Sequence, residues 1–119
     1  MTFCIYGIIR GGKNHIGITR TGRRYPHANW AIWREGILRQ LKNLVIQDLV
    51  PYDKPCKIVF SYWSGDHLRR DVPAMLDSLF HCFERAGIIK DDSLFKTVEW
   101  NDQGYDKKNP RVEIGIQEI

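Results

Sequence analysis

Three aspartates at the two ends of one amphipathic segment are the residues of this chain best suited to chemistry. Asp71 follows Arg69 and Arg70 at the start of the segment, and Asp91 and Asp92 stand just beyond its end. Carboxylates that converge from separate elements suit a hard divalent cation such as Mg²⁺, which takes oxygen ligands and usually keeps several waters. Adjacent arginines suit a substrate made of phosphates. The pattern predicts a metal-dependent enzyme that acts on nucleic acid.

Each of these aspartates also has an ordinary structural role open to it. Asp is common at helix N-caps, so Asp71 taken alone is better explained as a cap, although an outward-pointing cap can also bind metal. Asp91 and Asp92 can form the turn before a strand. Neighbours in an extended segment point to opposite faces, so at most one of the pair is expected to face the same site as Asp71.

A second group of candidates lies in a long loop predicted for residues 11–26. This loop is rich in glycine and carries a concentration of basic residues, which are Lys13, His15, Arg20, Arg23 and Arg24. Loops of this length are unusual in a small domain and are often functional. The composition suits a grip on phosphate backbones, and a solvated surface explains it equally well. The predicted DNA-binding residues are Lys13, Arg20, Arg23, Arg24, Arg69 and Arg70.

Length and composition limit the class of protein. The 119 residues fit one domain, 1–119, and 18 Lys and Arg against 14 Asp and Glu leave a net charge of +4. That excess is compatible with nucleic acid. Cys4, Cys56 and Cys82 lack the spacing of a zinc site and are predicted to be small buried hydrophobes. Without a signal-peptide pattern or a membrane-length apolar run, the chain is predicted to be intracellular, in the cytoplasm, with no membrane contact.

Hydrophobic periodicity predicts the elements that must position these residues. Apolar residues at three- and four-residue steps indicate helices over 27–47 and 71–86. Alternating or β-rich runs indicate strands over 2–10, 57–63, 93–100 and 111–119. Pro73 suits the first turn of the second helix, and Gly87 suits its end. The prediction is an α/β (α+β) domain of order β-α-β-α-β-β, with both helices on one face of a small mixed sheet.

The chain resembles the RusA family of Holliday-junction resolvases over nearly its whole length. The core segment matches without a gap. The residues that carry the resemblance are Gly12-Lys13-Asn14, Gly22-Arg23-Arg24-Tyr25-Pro26, Arg69-Arg70-Asp71, Phe80, Ala86-Gly87, Asp91-Asp92 and Arg111-Val112-Glu113-Ile114. Their combined order and spacing make the resemblance fairly specific.

The resemblance implies a homodimeric crossover junction endodeoxyribonuclease that acts in DNA recombination and repair, in the nucleoid. Such enzymes bind four-way DNA junctions and cut them symmetrically with Mg²⁺ or Mn²⁺. Their aspartate site implies Asp71, Asp91 and Asp92 as catalytic residues here, with Asp71 and Asp92 as metal ligands.

The chain departs from the family at the start of the second helix. The family has Asp-x-Asp-Asn there, followed by a lysine one turn later. Pro73, Ala74 and Asp77 stand at the positions of the second Asp, the Asn and the Lys. Two outcomes follow: the protein binds branched or duplex DNA without cutting it, or Asp77 or Asp66 restores the missing ligand from a new direction.

Overall fold

A computed structural model of the chain describes residues 1–12, 16–18, 20–26, 28–44 and 51–119, with the backbone alone for 16–18 and 24–26. Lys13, His15 and the predicted helix boundaries at 27 and 47 lie outside this part. The elements in chain order are β1 (Thr2–Tyr6), β2 (Ile16–Ile18), β3 (Arg24–Pro26), α1 (Ala28–Leu44), β4 (Cys56–Ser64), α2 (Val72–Arg85), a 3-10 helix (Asp92–Leu94), β5 (Phe95–Tyr105) and β6 (Arg111–Glu118).

Four of these strands form one mixed sheet in the order β1-β6-β4-β5. β6 runs antiparallel to both β1 and β4, and β5 runs parallel to β4. A parallel neighbour needs a crossover connection, and α2 supplies it between β4 and β5. The predicted α+β class and the order β-α-β-α-β-β are confirmed for this sheet and the two helices of the described residues.

Two strand ends differ from the prediction by four or more residues, because pairing partners decide where a strand ends, and the other strand boundaries agree within two residues. β1 stops at Tyr6 rather than near 10, since its partner β6 begins opposite, at Arg111. Gly7 then turns the chain with a φ of 107° and donates its N–H to the Pro110 carbonyl at 2.8 Å. β5 continues to Tyr105 rather than 100, because β4 provides ladder partners as far as Ser64.

The segment 11–26, predicted as a loop, contains a second small sheet. β2 and β3 pair antiparallel, with Ile16 opposite Pro26 and Ile18 opposite Arg24. Strands of three residues are too short to show a periodic pattern in the sequence. The basic residues Arg20 and Arg23 therefore lie, exposed, in the turn of a hairpin.

The core lies on one face of the four-stranded sheet. Alternate residues of β4 point into it, and the register sets Ile58 beside Ile116 and Phe60 beside Ile114. Helix α1 contributes Ile37 and Leu41 to the same cluster of buried side chains. Helix α2 contributes Met75, Leu79 and Phe83 to it. The predicted packing of both helices against one sheet face agrees with this single cluster.

The two helices lie side by side and run in the same direction. Near the start of α1, Trp30 donates from Nε1 to Ser78 Oγ in the middle of α2 at 3.0 Å. Near its end, Lys42 shares a cavity of about 350 Å³ with Arg85. α1 also holds the end of β1, because the Gln40 side chain exchanges two hydrogen bonds of 2.8 Å with the Tyr6 backbone. In the described part of the chain, neither helix combines the length and apolar character that crossing a membrane requires.

The cysteines behave as the sequence predicts for Cys56 and Cys82, which are buried, whereas Cys4 is half-buried. Burial raises the pKa of the Cys82 thiol to about 12, so this side chain stays protonated near neutral pH. A protonated, buried thiol is a poor nucleophile.

Leu79→Ala tests how strongly α2 depends on the sheet. Leu79 is fully buried, so the truncation is expected to lower the free energy of unfolding by about 2–5 kcal/mol through lost burial and an unfilled cavity. Ile32→Ala on α1 is the control, because Ile32 is 72% exposed and should cost less than about 0.5 kcal/mol. Urea titration of both variants measures the difference, and equal losses would contradict the proposed packing.

Candidate functional site

Asp71 precedes the first turn of α2, yet its carboxylate does not cap the helix. Its backbone is extended and its carbonyl accepts from the Met75 N–H at 3.1 Å, while the side chain makes no capping hydrogen bond. Pro73 occupies the first turn, as predicted, where its missing N–H costs little. Asp71 is therefore the N-cap residue of α2, as the simpler interpretation predicts, but it caps through its backbone carbonyl only. Its carboxylate is exposed to solvent, where a ligand can reach it.

Asp71 lines a cavity of about 370 Å³ at this end of α2. The lining residues are Arg10, Gly11, Gly12, Arg70, Asp71 and Ala74. A side chain at Gly11 would place its Cβ 2.8 Å from the Ala74 Cβ, which is closer than carbon atoms approach. The small Ala74 side chain therefore allows the backbone after β1 to pack directly on α2.

Arg70 forms a bidentate ion pair with Asp66 in the loop before α2. Its two terminal nitrogens donate to the two Asp66 oxygens at 2.6 and 2.9 Å, and the Leu68 N–H donates to Oδ1 at 3.1 Å. The Arg70 guanidinium holds the pKa of the Asp66 carboxyl below its usual range, and Asp66 in turn raises the pKa of Arg70. Asp66 is already occupied by Arg70, so it is a poor candidate for a metal ligand.

At the C-terminal end of α2 the chain reverses direction and packs back against the helix. Gly87, with a φ of 77°, donates to the Glu84 carbonyl at 3.1 Å, and Ile88 donates to the Phe83 carbonyl at 2.9 Å. This pair of bonds is the Schellman arrangement, which satisfies the last carbonyls of a helix. Ile88 and Ile89 are then buried, so the next residues return to the surface beside the last turn of α2.

Three carboxylates meet at this returning segment. Oxygens of Glu84, Asp91 and Asp92 all lie within 4.8 Å of one another. The Asp92 backbone N–H donates to Glu84 Oε1 at 2.7 Å, and Asp91 Oδ1 accepts from the Ser93 N–H at 2.8 Å. Hydrogen bonds from Ser93, with a smaller contribution from the charge of Lys96, lower the pKa of Asp91. Asp91 therefore stays ionised despite its acidic neighbours.

The structure separates Asp71 from Asp92 within one chain. α2 has 14 residues, which corresponds to about 20 Å at 1.5 Å per residue, and the two aspartates lie at its opposite ends. The segment after Gly87 leads to the start of β5, where Phe95 lies beside Cys56 at the start of β4. Asp71 instead follows the end of β4. A carboxylate side chain spans only a few ångströms, so one cation cannot bind both within the same chain.

Glu84 is the residue that the sequence analysis missed. It is exposed on α2 and lies three residues before Gly87, so sequence alone treats it as part of the solvated helix face. A signal did exist, because a glycine that closes a helix folds the following residues back over its last turn. Asp77 is half-buried on the same helix, roughly 9 Å along the axis from Asp71.

The predicted DNA-binding residues divide between two places. Arg70 lines the Asp71 cavity and is half-buried in its ion pair with Asp66, and its neighbour Arg69 is exposed. Arg20 and Arg23 are exposed in the β2–β3 turn, Arg24 is described by its backbone only, and Lys13 lies outside the described residues.

A scan of the chain against protein-family models gives no match, and a search of curated proteins gives none either. Function is therefore inferred from the residues, their geometry and the resemblance to the RusA family.

The Asp66–Arg70 pair predicts a pH-dependent contribution to stability. The folded-state pKa of Asp66 is depressed, so its contribution is present above the unfolded value of about 3.9 and is lost as pH falls through the folded value. Asp66→Asn should therefore be less stable than wild type near neutral pH, with the gap narrowing near pH 3. Urea midpoints at both pH values measure this, and Asp53→Asn, at an exposed site, is the control. A gap that does not change with pH would refute the ion pair.

Proposed function

We propose that this chain is a RusA-like endonuclease that resolves four-way DNA junctions by Mg²⁺- or Mn²⁺-dependent phosphodiester hydrolysis. One observation carries the proposal: three carboxylates gather at Glu84, Asp91 and Asp92, around the aspartate pair that matches the family. Three like charges at this distance repel one another unless a cation or hydrogen bonds compensate. The Asp92 and Ser93 N–H groups compensate part of this repulsion at Glu84 and Asp91, and a cation bound by the three carboxylates would compensate the rest.

The donors fit the proposed cation. Mg²⁺ is usually bound through one or two carboxylates and keeps several waters, which an exposed group of acids allows. A bound cation would supply a water of lowered pKa and would stabilise charge on the scissile phosphate. Asp91 contributes an ionised oxygen held in place by Ser93. Lys96 lies close enough to influence Asp91, and it supplies positive charge that the chain lacks at the family's lysine position, Asp77.

The two ends of α2 have separate roles in this proposal. Arg10 at the Asp71 end of α2, together with Arg20 and Arg23 of the hairpin, is suited to hold phosphates and position the substrate. The length of α2, about 20 Å, matches about six phosphate steps of one DNA strand at 3.4 Å each, so one duplex arm can reach both ends.

A homodimer belongs to the same proposal. A four-way junction has two-fold symmetry, and a two-fold dimer presents the same site twice, which accounts for paired cuts. The proposed setting is the cytoplasm, at the nucleoid, where recombining DNA is found.

A second function is junction binding without cleavage. It is favoured by the distance between Asp71 and the acidic group, which consists of Glu84, Asp91 and Asp92. The family's second Asp, its Asn and its Lys are all replaced, and Ala74 packs against Gly11 instead of offering a polar group. In this alternative the basic residues still hold DNA, and Asp71 has no cation to bind. Cleavage of a synthetic four-way junction in Mn²⁺, beside a gel shift without metal, separates the two functions.

Glu84→Gln tests the acidic group directly. The amide keeps the shape of the side chain and its acceptor for the Asp92 N–H, but removes one negative charge. We expect junction cleavage in Mn²⁺ to fall roughly tenfold or more, the scale seen when support of a metal ligand is lost, with binding in the absence of metal unchanged. Glu35→Gln on exposed α1 is the matched control. Equal cleavage by the two variants would remove Glu84 from the site.

Asp71→Asn tests the remaining acid of the family's first motif. If Asp71 takes part in cleavage, the variant should lose cleavage and bind the junction as well or more tightly, because a charge that repels phosphate is gone. Stability should barely change, since the side chain makes no capping bond and Asn caps as well as Asp. If Asp71→Asn cleaves the junction at the wild-type rate, Asp71 has no part in cleavage and the proposed cation site consists of Glu84, Asp91 and Asp92. A wild-type protein that binds but does not cut would favour the second function.

A further inference from the structure

At the end of the sheet where β4 ends, the loop after β4 and the last residue of β5 carry a stacked pair of exposed rings. The His67 and Tyr105 rings have centroids 4.0 Å apart and planes 30° apart. Both residues are exposed, and Tyr105 keeps 46% of its surface open to solvent although His67 covers part of it. An apolar ring held open at a surface offers a flat face to a further ring.

The loops that hold these rings are fixed to one another. The Asp106 N–H, next to Tyr105, donates to the Ser64 carbonyl at 2.8 Å. A side chain at Gly65 would place its Cβ 2.8 Å from the Pro110 Cβ, so the Gly65 backbone packs directly against the Pro110 ring. Arg111 ties the second loop further by donating to Asp106 Oδ2 and to the Asn109 carbonyl at 3.1 and 3.0 Å. The rings therefore do not have to be ordered when a ligand binds.

Lysines and arginines outnumber unpaired carboxylates among the residues next to the rings in the chain, where Asp102 is exposed and makes no ion pair with a described residue. Asp66 is bound by Arg70, and Asp106 is bound by Arg111. Arg69, Lys107 and Lys108 are exposed, and none of the three forms an ion pair with a residue in the described part of the chain. Three uncompensated cations beside a flat aromatic face combine the two features of a single-strand nucleic-acid site.

We propose that the ring-and-cation surface, made of His67, Arg69, Tyr105, Lys107 and Lys108, binds a DNA strand with an unpaired base. The base stacks on Tyr105, and the cations contact the flanking phosphates. The inference rests on the proposed function, because the branch point of a junction is where unpaired bases become accessible. It adds contacts to those proposed for Arg10 and for the hairpin residues Arg20 and Arg23. An acidic protein is the competing occupant, and it would have no use for a stacking face.

Fluorescence of 2-aminopurine placed at the unpaired position of a branched oligonucleotide tests the stacking. Stacking on a ring quenches this base, so the wild-type protein should quench it on binding. Tyr105→Leu should abolish the quench and weaken binding about tenfold, the usual scale for one stacked base. Tyr105→Phe keeps the ring and should behave as wild type. Loss of function through misfolding is excluded by matching melting temperatures of the two variants.

A double substitution tests the cations separately from the ring. Lys107→Ala with Lys108→Ala should weaken binding to DNA of every sequence. It should also reduce the magnitude of the slope of log K against log salt concentration by about 1–2, while the quench at saturation remains. Lys54→Ala with Lys90→Ala removes the same charge from exposed positions outside this surface, and should leave both readings close to wild type.

The outcomes distinguish failure of this surface from failure of the proposed function. If Tyr105→Leu changes neither DNA binding nor the quench, the proposed role of the ring-and-cation surface is wrong, and the proposed function is unaffected. A wild-type protein that binds no DNA, branched or linear, at low salt would overturn both. Equal effects of the two lysine pairs would show that only net charge matters and would overturn the role of Lys107 and Lys108.

Discussion

Burial of α2 against the inner face of β4 and β6 is the constraint on which the rest of this structure depends. Leu79 and Phe83 are fully buried there beside Phe60 and Ile114, so the helix can neither slide nor tilt without exposing apolar surface. α2 also connects the parallel strands β4 and β5, which requires its two ends to lie at opposite ends of the sheet. The distance between Asp71 and Asp91-Asp92 follows directly from this requirement.

The ends of α2 differ in chemistry because they end in different ways. At its start, Pro73 and the backbone of Asp71 complete the helix, and the Asp71 side chain remains exposed beside Arg10. At its end, Gly87 folds the chain back and places Asp91 and Asp92 beside Glu84. A cavity lined by Arg10 and Asp71 and a group of three carboxylates thus occupy the two ends of one helix. The proposed division between holding DNA and cutting it rests on that arrangement.

Ion pairs within the loops decide which charges are available to a ligand. Arg70 and Arg111 look equivalent to Arg69 in the sequence, but each is held by a neighbouring aspartate. Those pairs are partly exposed and contribute little to stability individually. Their larger consequence is electrostatic, because they neutralise Asp66 and Asp106, so that Arg69, Lys107 and Lys108 outnumber Asp102 among the residues next to His67 and Tyr105 in the chain.

Much of the fold was predictable from local patterns. The apolar periodicity of α2, the alternation of β4 and the end signal at Gly87 are properties of consecutive residues, and the structure confirms them. Strand ends were less predictable, because the end of β5 depends on how far its partner β4 extends. The short β2–β3 pair was missed for the same reason, since a three-residue strand is defined by its partner and not by its pattern.

The sequence by itself determined the types, order and buried faces of the main elements, together with the acidic and basic residues that suggest a nuclease. Only the tertiary structure decided which of those residues meet. It separated Asp71 from Asp92, added Glu84 to the aspartate pair, occupied Asp66 with Arg70 and stacked His67 on Tyr105. The physical reason is that periodicity reports on neighbours along the chain. Contacts between distant residues depend on helix length, on strand register and on the path of the chain after each element ends.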